Sequence, residues 1–398
     1  MKPKKSKRYV VEALILLAVL GVGLGILGHF MGGKNLMNTI MATAHDLLLN
    51  TVFFLMGITV LAGALGKLLS EFGVVQLLEK LLRPLMKPLY RLPGVAAIGA
   101  VMTFLSDNPA IIALSKDRKF ASYFKKYQLV SLTNFGTSFG MGLIVILMMM
   151  SYGKLSAALV GLFGAICGSI ISTRLMQRFT LKSFPEMDSP VIEGATVDGS
   201  EDADVDLEAS SAAGADGSAS GKPGRRESVF MRFLNAILDG GKSGVDLGLQ
   251  IIPGVLIITT FVLLITFDAG AAGEYNGSAA QGVPILPWLA GKIHWVFEWL
   301  FGFKDMRLLA FPMTALGAVG AALGLLPSFS AAGILDGNAI AVCTAIGMCW
   351  SGYLSTHTAM LDSLGYRKLI GKAIGAHTIA GFCAGVIAHF VWLLVALI

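Results

Sequence analysis

Four polar clusters interrupt apolar sequence, and these are the places where the chain could do chemistry. The first is Ser106-Asp107-Asn108-Pro109, and the second runs Thr133-Asn134-Phe135-Gly136-Thr137-Ser138-Phe139-Gly140. The third is Ser328 with Ser330, beside Pro327, and the fourth gathers Trp350, Ser351, Ser355, Thr356, His357 and Thr358. In hydrocarbon, broken backbone or an ionisable side chain is tolerated only when buried in protein or lining a wet cavity. There Asp107 could bind a cation, carry a proton or hold a basic or hydroxylated solute. Alternatively, Asp107 and Asn108 could cap the helix that follows them. Asn134, Thr137 and Ser138 fall within ~2 turns of one helix, so they could offer oxygens to one site or bond neighbouring helices. Gly347 and Gly352 would let the fourth cluster unwind and free carbonyls for an ion, and His357 could titrate near neutral pH.

Other chemistries find less support. Ser351 or Ser355 with His357 could suggest an intramembrane hydrolase, but no G-x-S-x-G elbow is present. His377 and His389 stand twelve residues apart without an evident third ligand, so no metal and no cofactor is expected. No Walker A loop is found, so ATP does not drive the chain directly. The cysteines Cys167, Cys343, Cys349 and Cys383 lie in apolar runs and form no C-x-x-C pair, as small packing residues do. Together these features argue against an enzyme.

The clusters need elements to position them, and composition gives the class. Hydrophobic residues make up 55% of the 398 and charged residues 14%, well below the quarter usual in soluble domains. Several apolar runs reach the ~20 residues that cross a ~30 Å hydrocarbon core. The pattern predicts an all-α polytopic membrane protein whose environment is the lipid bilayer. The net charge of +6 divides unevenly, because ten acidic residues and no Lys or Arg lie between Glu186 and Ser220. The basic remainder fits loops on the cytoplasmic side and not nucleic-acid binding. A basic tail (1–8) precedes a retained span at 9–31, which places the N-terminus in the cytoplasm. Gly21, Gly23, Gly25 and Gly28 on that span suggest close packing.

A second span covers 46–68. Residues 74–90 read as an amphipathic helix on the membrane surface. If 93–114 crossed fully, Lys116, Arg118, Lys119, Lys125 and Lys126 would lie outside, against the positive-inside rule. A re-entrant hairpin removes the conflict. An arm of about 13 residues reaches ~20 Å, past the midplane. Spans at 127–150 and 154–176 follow, then an acidic, Gly/Ser/Ala-rich linker expected to be disordered. The second half repeats the order: a span at 245–267, a polar loop at 268–282, an aromatic amphipathic stretch at 286–301, an apolar run broken at 326–330, and spans at 338–361 and 368–398. Ala97–Val101 resembles 315–319, Thr133-x-x-Gly136 matches Thr344-x-x-Gly347, and Tyr152-Gly153-Lys154-Leu155 matches Tyr366-Arg367-Lys368-Leu369, at offsets of 218, 211 and 214 residues. An odd number of crossings per half makes this an inverted-topology repeat, with the site at the repeat interface. The domains are then a basic tail and helix (1–34), a first repeat (45–178), a linker (179–228) and a second, inverted repeat (229–398). The pairs Gly164/Gly168, Gly320/Gly324, Gly371/Gly375 and Gly381/Gly385 read as packing faces.

The paired halves, the Ser106-Asp107-Asn108-Pro109-Ala110-Ile111 tip and the Thr133–Gly140 run resemble the Gate, or nucleoside-recognition, domain family. That family includes the spore maturation A and B proteins and the membrane gate domains of ferrous-iron transporter B. The hairpin–helix–hairpin–helix plan is similar to that of concentrative nucleoside transporters, over about 45–178 and 240–397. The resemblance implies two re-entrant hairpins and two broken helices around a solute and a coupling ion, sodium or proton, moved by an elevator-like step. It implies that the tip residues Asp107, Asn108, Ser328 and Ser330 face Asn134, Thr137, Ser138, Ser351 and Thr356. The second tip carries no acid or amide, unlike those of nucleoside transporters. The expected function is secondary transport of a small polar solute across an inner (plasma) membrane by a homo-oligomer. A non-transporting assembly partner and an intramembrane hydrolase are the rival readings.

Overall fold

The computed structural model describes residues 4–153, 155–192, 228–270 and 273–397. Among them the regular structure is helical, apart from one isolated bridge between Lys125 and Pro190. Seven helices among the described residues are long and apolar enough to cross a membrane. The expected span at 9–31 is found as Tyr9–Met31, but its Gly21, Gly23 and Gly25 face nothing within 4 Å. Among the described residues of the chain, of the four glycines expected to pack closely only Gly28 meets a neighbour, Leu36 at 3.8 Å, because the helix touches the rest of the chain mainly at its end, where Leu27 and Met31 are buried.

Gly32, at φ 79°, turns the chain into Gly33–Glu71. This helix has 39 residues, or ~58 Å at ~1.5 Å per residue, and must tilt strongly or project from a ~30 Å core. Val229–Leu264, with 36 residues, is its counterpart. Both carry a π-helical turn, at Leu47–Val52 and Gly254–Thr259. They pack along a seam of glycines. A Cβ on Gly240 would stand 2.3 Å from the Gly63 carbonyl oxygen, and one on Gly244 would stand 2.3 Å from that of Thr59. Backbones this close require small residues, and Thr59 Oγ1 donates to the Gly244 carbonyl at 2.7 Å across the seam.

The helix at 74–90 presents Leu77, Leu81, Leu85 and Leu89 outward at four-residue spacing, while Arg83 pairs with Glu79 at 2.7 Å on the inner side. A 112° bend then leads from Val74–Tyr90 into Gly94–Leu105. The chain breaks at 106–108 and returns as Pro109–Lys116. Ile111, on the return arm, is wedged between the first arm and the next helix, so that a Cβ on Gly99 or on Gly136 would stand 2.6 Å from it. Gln128 Nε2 donates to the Arg91 carbonyl at 2.9 Å. The hairpin therefore re-enters: its start and its return share one end of the bundle, where Lys116, Lys125, Arg174 and Lys182 also gather. Asn338 Nδ2 donates to the Phe301 carbonyl at 2.7 Å and closes the second hairpin in the same way at the opposite end. The two halves thus run in opposite senses.

The second hairpin differs from expectation in where it breaks. Ala310–Ala315 ends at a turn over 316–318 and Val319–Leu323 folds back, ten residues before the expected break at 326–330. Gly317 and Ala318 supply the turn, whereas Pro327 sits in the first turn of the helix Leu326–Ala331, where its missing N–H is harmless. Lys126–Tyr152 is broken over 138–141, with Met141 at φ 54°, and Gly337–Ser363 over 350–352, with Gly352 at φ 61°. Leu155–Ser183 and Arg367–Val395 close the bundle. A Cβ on Gly168 would meet that of Ala384 at 2.8 Å, and one on Gly381 would overlap the Trp350 indole. Gly371 and Gly375 face open space and form no packing seam. Part of the expected linker is docked: Lys126 N donates to the Ser189 carbonyl at 2.9 Å, Val191 N to that of Phe124 at 3.0 Å, and Lys125 pairs with Asp188 at 2.9 Å. The remainder, 193–227, lies outside the described residues.

Candidate functional site

The sequence breaks four elements, and all four breaks meet around one cavity of about 360 Å³, at the lower end of the size of small-molecule sites. Asp107, Asn108 and Pro109 line it from the first hairpin, and Gly317 and Ala318 from the second. Ser351, Gly352, Ser355 and Thr356 line it from the broken helix Gly337–Ser363. Met141 enters from the break in Lys126–Tyr152, and Gln250 from the long helix Val229–Leu264. A second hollow of about 420 Å³ shares Pro109 and Ile112 and extends to Lys116 along the return arm.

Asn108 ties the hairpin tip to the broken helix. Its Nδ2 donates to the Ser351 carbonyl at 2.5 Å. It sits immediately before Pro109 but makes no side-chain capping bond, so the capping role open to it is not taken. Ala110 N instead bonds the Asp107 carbonyl at 3.0 Å. Asn108 Oδ1 is buried without a hydrogen-bond partner among the described residues. Gly140 makes room for it, because a Cβ there would stand 2.3 Å from Asn108 Oδ1 and 2.8 Å from Ser351 Oγ. Gly352 N donates to the Ala315 carbonyl at 3.4 Å and draws the second hairpin to the same break. Asp107 is half-buried, and Ser355 is exposed into the cavity, its Oγ bonded to the Gly352 carbonyl at 2.9 Å.

The remaining residues singled out in the sequence lie elsewhere. Asn134 is fully buried and joins three helices, donating to Ser172 Oγ at 2.9 Å and to the Ala373 carbonyl at 3.0 Å. Thr137 and Ser138 bond back to the carbonyls of Thr133 and Asn134, as hydroxyls inside helices do. Trp350 packs on Gly381 and donates from Nε1 to the His377 carbonyl at 3.2 Å. Ser328 and Ser330 stand on Leu326–Ala331 and are not among the residues lining the cavity, because the turn that faces it comes earlier in the chain. His357 is fully buried behind Thr356, in ring contact with His377 and Tyr353. It shares no hydrogen bond with Ser351 or Ser355, so a serine–histidine pair is not formed.

Gln250 is the polar lining residue that the sequence did not single out. Its signal was a lone amide in the run Leu247–Pro253, one turn before a proline. The cavity as a whole offers one carboxylate, two amides, three hydroxyls and the carbonyls freed at the breaks. That set can hold a small solute rich in hydroxyl and N–H donors. Among the described residues no group of three or more His, Cys, Asp or Glu could hold a metal ion. All four cysteines are free.

Residues 52–153 match the family model described as Gate, nucleoside recognition. They hold the second half of Gly33–Glu71, the first hairpin and the first broken helix. An uncharacterised protein of Alkalihalophilus pseudofirmus is 37% identical over 87 residues, which are 21% of this chain and 19% of that protein. The match thus spans about a fifth of the relative's length. Solved structures of CNTnw are also similar. A variant in an intermediate state aligns with a TM-score of 0.49 and 14% identity over 98% of this chain and 88% of that one. The inward-facing, substrate-bound structure aligns with a TM-score of 0.46 and 14% identity over 93% and 89%.

Proposed function

We propose that this chain is a secondary transporter of a small, polar, nucleoside-like solute, driven by a proton or sodium gradient. The observation that carries the reading is the cavity itself. Four backbone breaks converge on it, two from each of the inverted halves, and each break frees polar backbone at a depth where hydrocarbon would forbid it. Inverted repeats with discontinuous helices around a central site are the plan on which alternating access is built. The match of 52–153 to a nucleoside-recognition family supports a solute of that class. Asp107 and Gln250 would take the solute's N–H and hydroxyl donors, and Ser351, Ser355 and Thr356 its remaining polar edge. In an elevator-like step the two hairpins, held by Asn108 on Ser351 and Gly352 on Ala315, would travel with the broken helices. The long pair Gly33–Glu71 and Val229–Leu264 would stay fixed in the membrane. The chain would work in an inner membrane as a homo-oligomer, with its basic end in the cytoplasm.

The test is thermal stabilisation of the purified protein in detergent by nucleosides, nucleobases and amino acids, for wild type and Asp107→Asn. A nucleoside that stabilises wild type and not the variant supports the reading. Equal stabilisation of both places the binding site elsewhere.

A further inference from the structure

We propose that His357 is the proton-binding group that couples this cavity to a proton gradient, with His377 passing its charge state to the break at 350–352. The inference rests on the transport reading and names its coupling ion. His357 follows Thr356, which lines the cavity. Its side chain is fully buried, and neither ring nitrogen has a hydrogen-bond partner among the described residues. A neutral imidazole always presents one N–H and one lone pair, and burying both unpaired is unfavourable. A histidine kept for structure would be expected to hold a carbonyl or a hydroxyl.

His377 does hold them, at a ring-centroid distance of 4.6 Å from His357. Its Nε2 meets the Cys349 carbonyl, which only accepts, so the hydrogen is on Nε2. Its Nδ1 then accepts from Ser172 Oγ at 2.9 Å, and Ser172 Oγ accepts from Asn134 Nδ2 at 2.9 Å. Each donor in this chain has its acceptor, and the chain is complete with His377 neutral. A further proton can enter His377 only if the Ser172 hydroxyl turns away. His357 takes one without breaking a bond.

The surroundings of His357 are short of charge. The helix Lys126–Thr137 carries Lys126 and Tyr127, at its far end, and Arg367–Val395 carries Arg367, Lys368, Lys372, His377, Cys383 and His389, while Asp362 at the end of the helix that holds His357 pairs with Arg367 at 3.7 Å. Of these, His377 is in ring contact with it, and on its own helix so is Tyr353, whose hydroxyl is shared with Thr378 at 2.7 Å. The carboxylate lining the cavity is Asp107. A proton that reaches His357, one residue on from the cavity-lining Thr356, therefore adds a positive charge beside the His377 ring, with no bond but N–H formed or broken. Cys349 ends the helix Gly337–Cys349, and two residues on, the Ser351 carbonyl receives Asn108. His377 and the hairpin tip thus grip the same break, and a charge that disturbs one grip is felt at the other.

The experiment is a pH jump, between pH 8 and roughly pH 5 to bracket histidine, on proteoliposomes of the full-length protein adsorbed to a solid-supported membrane, without added solute. Wild type is expected to give a transient charge displacement. His357→Gln is expected to lose it by ~tenfold or more, and His389→Gln, whose ring is bonded to Asn338 near the other end, to keep it. His377→Gln should keep the displacement but move its midpoint pH. No displacement in wild type, or a full one in His357→Gln, overturns the proposal. Should His357→Gln fail to fold, an unmoved midpoint in His377→Gln overturns it equally. Uridine uptake by the same vesicles under a proton or a sodium gradient is read separately. Uptake driven by sodium alone overturns the proton assignment and leaves transport standing. A wild-type displacement lost in His357→Gln, without uptake of uridine, supports the proton site and counts against uridine as the solute.

Discussion

Asn108 fixes the geometry of the cavity from a single side chain. Asn108→Ala would leave the Ser351 carbonyl buried and unpaired, which costs ~1–3 kcal/mol and should lower the unfolding temperature in detergent. Gly140→Ala should displace the same amide by steric overlap, so a folded Gly140→Ala protein is expected to bind no nucleoside in the thermal assay. Ser330→Ala, away from the cavity, should change neither stability nor binding beyond ~0.5 kcal/mol. Asp107 and Asn108 were legible in the sequence because polar residues at a break in an apolar run have few other reasons to be there. For Asn134 the sequence left open a place in the site and a bond between helices, and the fold takes the second. Spacing on a helix says which residues share a face, and it does not say whether that face meets a cavity or another helix. Gln250 was hidden because only tertiary packing carries it across to the hairpin tips.

At the level of elements, the glycine seam between the long helices is where packing is tightest. Gly244→Ala places a Cβ 2.3 Å from the Thr59 carbonyl oxygen, and such overpacking destabilises by ~1–3 kcal/mol. Gly371→Ala, facing open space, serves as the neutral comparison, and thermal unfolding of both variants checks the pair. The sequence reading set the start of that span at 245, which left Gly240 and Gly244 among the charges Asp239, Lys242 and Asp246 and outside any helix pair. The first hairpin was readable because a positive-charge argument and a proline agreed on it. The second was misplaced by ten residues because Pro327, Ser328 and Ser330 interrupt the apolar run, while Gly317-Ala318 gives no comparable sign. Gln128 and Asn338, the amides that close the two hairpins, carry no motif and became visible only in the fold.

For the whole molecule, the inverted repeat ties the two hairpins to opposite ends of the bundle. Single cysteines at Lys119 and Lys304 should therefore react with a membrane-impermeant thiol reagent from opposite faces of the membrane. Reaction of both from one face would break the inverted arrangement. The order of elements was legible from short matches and charge, since those survive wherever the two halves must build the same broken helices. The docked stretch 184–192 was not legible, because its composition reads as linker, and what holds it are tertiary contacts: its bonds to 124–126 and the burial of Met187.

The central claim is that the cavity between the hairpin tips is reached alternately from the two sides. Ser355→Cys, in a background with the half-exposed Cys167 and Cys383 changed to Ala, tests it most directly in proteoliposomes of known orientation, since Ser355 is exposed in the cavity and Cys343 and Cys349 are buried. Labelling by an impermeant thiol reagent is predicted from either face, with a bound nucleoside slowing both. Labelling from one face alone, at a rate that no nucleoside changes, would contradict the account.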